Sequence, residues 1–120
     1  MKTAARLQAA IEIIDTIIGN GFRAEQALKT WGRENRYAGS KDRAAIRDYV
    51  YDALRNLRTF AARGGSLTGR AILISTLREH GVEPNTMFTG ERFAPLPLTK
   101  DESIIRNELR PAVFFNLQDW

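Results

Sequence analysis

The stretch Ser40-Lys-Asp-Arg-Ala-Ala-Ile-Arg-Asp-Tyr-Val-Tyr-Asp-Ala-Leu-Arg-Asn-Leu-Arg-Thr-Phe-Ala-Ala-Arg63 meets no glycine or proline until Gly64. At about 100° per residue, Ile46, Tyr49, Val50, Ala53, Leu54, Leu57, Phe60 and Ala61 share one continuous arc, which predicts an amphipathic helix with that arc on a core. Ser40 is a good N-cap for it. Arg47, Tyr51, Arg55 and Arg58 share the adjoining arc, with Tyr51 among the three arginines. They extend over about three turns, or roughly 15 Å. Guanidinium groups around an open aromatic ring suit a phosphate backbone and a stacked base. The competing reading is a solvated face, because Asp48 and Asp52 border the arc and Asp52 to Arg55 has ion-pair spacing. Arg43, at the edge of the core arc, is placed to brace the helix start or to meet a carboxylate.

Outward from this helix the pattern stays helical. Leu7, Ile11, Ile14 and Ile18 form a stripe in a first helix, widened by Ala10, Ile13 and Ile17, with Thr3 as its cap and Gly19 and Gly21 at its end. A second helix over Ala24–Asn35 turns Ala24, Ala27, Leu28 and Trp31 inward. A fourth, Leu67–Glu79, is apolar around most of its girth, which marks it as central. Beyond Gly81 the prolines Pro84, Pro95 and Pro97 leave room for one turn near Met87 and Phe88. Thr99 and Glu102 have capping-box spacing for a last short helix that stops before Pro111. The apolar tail 112–120 packs on this domain or leads into another. The fold class expected is all-α, a bundle of five to seven helices in one domain over residues 1–111.

Composition narrows the chemistry. With 43% hydrophobic and 27% charged residues the chain is an ordinary globular domain rather than a disordered one. There is no cysteine, which removes disulfides, thiolate metal sites and a cysteine nucleophile. The single histidine, His80, argues against a histidine zinc site. Asp42, Asp48 and Asp52 lie among arginines that lower a carboxylate pKa, which disfavours general-acid work. The Gly64–Arg70 loop lacks the lysine and spacing of a phosphate loop. Met1–Ile18 carries Glu12 and Asp15 inside its apolar pattern and reads as neither signal peptide nor membrane span. No catalytic or cofactor-binding residue emerges, and a cytoplasmic location follows by default.

Charge points to a partner. Residues 33–70 hold nine basic and four acidic side chains, a balance of +5, while the rest of the chain sums to −1. Eight of the nine are arginines, whose planar forks match phosphate. They run through the turn Arg36-Tyr37-Ala38-Gly39-Ser40 into the helix-like segment behind it. A helix-turn-helix DNA reader shares this outline, but the outer face of the third helix has few Asn or Gln side chains for base edges.

The run Arg36-Tyr37-Ala38-Gly39-Ser40-Lys41-Asp42-Arg43, followed by Ile46, Val50, Tyr51 and Leu54-Arg55, resembles the NusB-like N-terminal domain of the Fmu/Sun group of ribosomal RNA cytosine-5 methyltransferases. The family pattern is a Ser-x-Asp-Arg block opening a helix, then a valine-tyrosine and a leucine-arginine. Ala24–Arg33 is similar to the helix that precedes that block, and Pro95-Leu-Pro-Leu-Thr and Asp119-Trp120 extend the likeness loosely. The resemblance implies a NusB-like helical bundle that binds ribosomal RNA. It also implies a separate catalytic domain, using S-adenosylmethionine and cysteine chemistry, beyond Trp120. Methyl transfer by this chain alone is not expected. The candidate RNA-binding residues are Arg36, Lys41, Arg43, Arg47, Tyr51, Arg55 and Arg58. The alternative reading is a NusB-type antitermination or protein-interaction adaptor using the apolar faces of the first helix and of Phe114-Phe115. Against literal antitermination, Met1–Leu7 offers only Lys2 and Arg6, where free-standing NusB proteins have an arginine-rich segment.

Overall fold

The helical periodicity becomes four α-helices in the computed structural model, which describes residues 1–62, 67–100 and 102. They are α1 (Thr3–Asn20), α2 (Ala24–Glu34), α3 (Ser40–Ala62) and α4 (Gly69–Glu79), followed by a 3-10 turn at Pro84–Thr86. The described residues contain no strand. A further helical turn opens at Lys100; the remainder of the expected last helix, the 111/112 boundary and the tail lie outside the described residues.

The core is built where the stripes predicted it. Leu7, Ala10, Ile11, Ile13 and Ile14 of α1 meet Ile46, Val50, Ala53 and Phe60 of α3 and Ile72, Leu73, Ile74 and Leu77 of α4, all buried. Each large aliphatic side chain removed from water contributes about 1.5–3 kcal/mol. Tyr49, Leu54 and Leu57 pack on this cluster half-buried; the Ala61 side chain lies outside the described residues. The fourth helix is apolar around much of its girth, as expected. It shares the centre with α1, which packs against all three other helices. The apolar stripe of α1 is thereby used inside the bundle, which removes it as the adaptor surface.

Helix ends show where local chemistry won and where it shifted. Gly81 sits at φ 77°, and the amides of Gly81 and Val82 donate to the carbonyls of Arg78 and Leu77 at 3.1 and 2.9 Å. That is a Schellman closure, which needs a left-handed residue and so selects glycine. The predicted capping box is present: the Thr99 amide donates to Glu102 at 2.8 Å and the Glu102 amide to the Thr99 hydroxyl at 3.2 Å. Thr3, expected as a cap, is instead the first helical residue, after Lys2 at an extended φ/ψ. Ser40 is likewise displaced by one. The first intrahelical bond of α3 runs from the Arg43 amide to the Gly39 carbonyl at 3.0 Å, and the Gly39 amide donates to the Asp42 carboxylate at 3.1 Å. An acid at the third helical position reaches back further than the serine does. The cap of α4 is Thr68, whose hydroxyl accepts from the Ala71 amide at 3.1 Å.

Candidate nucleic-acid interface

The turn between α2 and α3 is tied together by hydrogen bonds from side chains and backbone. The Asn35 side-chain amide donates to the Trp31 carbonyl at 2.8 Å, and the Ala38 amide to the Asn35 carbonyl at 3.1 Å. From the first turn of α3, Arg43 folds back beneath α2. Its Nε donates to the Ala38 carbonyl at 3.0 Å and its Nη2 to the Gly32 carbonyl at 3.0 Å. The bracing role read from its position is therefore correct, with carbonyls of α2 and the turn as partners rather than a carboxylate. A cation on the last carbonyls of a helix also opposes their partial negative charge.

Asp42 ties the same turn to α1. Its carboxylate accepts from the Nε and Nη2 of Arg6, both at 2.8 Å. The Arg6 bond, helped by the Gly39 amide and opposed by desolvation, holds its carboxyl below the ordinary value of 3.8. A lowered carboxylate pKa stabilises the fold fully above the unfolded value and less as pH falls through the folded one. Asp42→Asn is therefore expected to lower Tm at pH 7, with the gap to the parent protein narrowing below pH 3.8 in thermal melts. A gap constant with pH would rule out the ionised carboxylate as its cause.

Around this braced turn the cations gather. Lys29, Arg33, Arg36 and Arg43, with Gly32, line a shallow, open hollow of about 440 Å³ on which no carboxylate lies. The hollow adjoins a groove of about 540 Å³ between α2 and α3, and Lys29 and Arg43 line both. Leu28, Trp31, Ile46, Arg47 and Tyr51 complete that groove, with Glu25 as its one acidic group. Among the described residues no carboxylate reaches ion-pair distance of Lys29, Arg33, Arg36, Lys41 or Arg47. Several unpaired like charges around one hollow repel one another, and a bound anion relieves that repulsion.

The arc read along α3 is thus divided. Arg36, Arg43, Arg47 and Tyr51 come together on the α2–α3 side. Lys41 is exposed but lines neither depression. Arg55 is paired with Asp52, as its spacing allowed, and Asp52 also faces His80 Nε2 at 3.8 Å. The Arg58 side chain lies outside the described residues. Two cations outside the candidate RNA-binding residues belong to the hollow: Lys29, and Arg33, which the sequence reading counted only within the basic stretch. Their separation by four residues on α2 was the available signal.

Other chemistries find little here. The Gly64–Ser66 part of the glycine-rich loop lies outside the described residues, while Gly69 opens α4. Among the described residues no group of His, Cys, Asp or Glu side chains is arranged to hold a metal ion. No described helix is long and apolar enough to cross a membrane. In comparison with known proteins, the chain matches no family model, no curated protein and no solved structure.

Proposed function

We propose that this chain is an RNA-binding helical domain, the substrate-docking part of an S-adenosylmethionine-dependent ribosomal RNA cytosine-5 methyltransferase whose catalytic domain lies elsewhere. The observation that carries RNA binding is the carboxylate-free hollow of Lys29, Arg33, Arg36 and Arg43, set against a groove with two aromatic side chains. The assignment to a methyltransferase rests on the sequence resemblance alone, carried by the Arg36–Arg43 run and the spaced Ile46, Val50, Tyr51 and Leu54-Arg55 that follow it.

The test is fluorescence anisotropy with a labelled single-stranded RNA across a salt series. Changing Arg33, Arg36 and Arg47 together to Gln should weaken binding and reduce the log–log salt slope by about 2, at roughly 0.7 per lost phosphate contact. All three are exposed, so each change should cost stability within about 0.5 kcal/mol. The charge-matched control changes Lys2, Arg23 and Arg92, exposed cations away from the hollow. Equal losses from both triple variants would reduce the effect to net charge and remove the site.

The adaptor reading keeps one observation in its favour. Phe93 and Leu96, on the loop after the 3-10 turn, are 67% and 70% exposed, and exposed apolar groups of this size suit a protein partner. Binding that persists at high salt and is lost in Phe93→Ser would support it.

A further inference from the structure

We infer that the α2–α3 groove receives one unstacked nucleobase of a single-stranded RNA, with an adjoining backbone phosphate in the basic hollow. The inference rests on the RNA-binding reading above and adds to it a strandedness and a point of base capture.

The groove has the make-up that a base requires. Ile46, which is 1% exposed, and the half-buried Trp31 and Tyr51 line it, Trp31 also packing on the core cluster. Tyr51 differs from its neighbour Tyr49. Tyr49 packs on the core cluster, whereas Tyr51 does not belong to it and lines the groove. A tyrosine at that position contributes a face to whatever enters from solvent.

The hollow beside it is prepared for an anion. Two of the three nitrogens of Arg43 are fixed on the carbonyls of Ala38 and Gly32, so its guanidinium is held without a ligand. The third, Nη1, has no partner among the described residues and belongs to a side chain lining the hollow. Gly32 makes this possible, because a Cβ there would lie 2.6 Å from Nη1. An oriented donor among three further cations favours a phosphate oxygen over a carboxylate, which would neutralise less of the charge. Since Lys29 and Arg43 line both depressions, base and phosphate sites are contiguous. In an A-form duplex the bases are stacked and paired, so only a single strand, bulge or loop can fill both.

The experiment uses the full chain with Trp120→Phe, which leaves Trp31 as its only tryptophan. The probes are a ten-nucleotide single-stranded RNA, the same strand carrying abasic positions, and its duplex. The intact strand should quench Trp31 emission and bind more tightly than the other two. Tyr51→Leu should weaken the intact strand about fivefold or more while changing the abasic strand less than twofold, as stacking of one base predicts. Tyr51→Phe, which keeps the ring, should retain the affinity and controls for misfolding. Equal binding of all three probes with unchanged Trp31 emission would overturn base capture and leave RNA binding standing. Failure of every RNA to bind would overturn both.

Discussion

Replacing Gly69 by alanine should destabilise the protein by about 2–3 kcal/mol, although alanine is the better helix former. The sign is set by what surrounds the residue. Gly69 is buried at the start of α4, and a Cβ there would run into the Ile11 carbonyl oxygen of α1 and lie 3.0 Å from the Asp15 carboxylate. A helical carbonyl cannot swing aside without losing its own bond, so the two helices must separate. Separation also breaks the bond that the Gly69 amide donates to Asp15 at 2.6 Å, a carboxylate on a helix N-terminus. Urea denaturation reads the loss directly. Asp15→Ala should cost about 1–2 kcal/mol, and the double variant less than the sum, because both changes open the same contact. A neutral or stabilising Gly69→Ala would mean that α1 and α4 do not approach this closely.

The second large effect belongs to Arg70. Its Nε and Nη2 donate to the Glu102 carboxylate at 2.7 and 3.1 Å, and Nη2 also to the carbonyls of Leu96 and Pro97, each at 2.8 Å. The guanidinium lies 5.0 Å over the Phe88 ring. One side chain in the first turn of α4 thus clamps the chain from Phe88 to Glu102 onto the bundle. Arg70→Met keeps the aliphatic stem and removes the donors. The loss should be about 2 kcal/mol, below the sum of the bonds because the pair is partly hydrated. Hydrogen exchange at the Thr99 and Glu102 amides should rise with it.

Acid provides the check. Arg70, with help from the Thr99 amide and against desolvation, holds the Glu102 carboxyl below its usual 4.5. Its stabilisation is complete above 4.5 and is lost as pH falls through the lower folded value. The gap between parent and Arg70→Met should therefore narrow below pH 4.5. Glu12 works in the opposite direction, since burial, then the nearby Asp15, raise its carboxyl. Falling pH relieves that cost in both proteins equally, so the difference between them isolates Glu102. A gap unchanged down to pH 2 would assign the loss to the carbonyl bonds and the Phe88 contact rather than to the Glu102 pair.

These two positions show where sequence reasoning stopped. Gly69 reads from sequence as one more loop glycine, and Arg70 as one more charge in the basic stretch. Arg70 is in fact engaged inside the molecule, as is Arg55 by Asp52, while Arg43 is held by carbonyls through two of its three nitrogens and keeps only Nη1 for a ligand. What remained open to a ligand was a smaller set, completed by Lys29 and Arg33 from a different helix.

The sequence by itself determined the helices, the face each one buries and the Thr99–Glu102 box. Each depends on residues within about one turn of one another, where the 3.6-residue period and the free amides and carbonyls of helix ends dictate the outcome. The tertiary structure alone decided that Asp15 accepts from the Gly69 amide at the start of α4, that Arg6 meets Asp42, and that Asn56 is buried at the α3–α4 contact with Ser75 and Thr76. It also decided which arginines face solvent without a carboxylate. Those outcomes follow from how the helices cross, and crossing is set by the fit of whole side-chain surfaces, which no local spacing records.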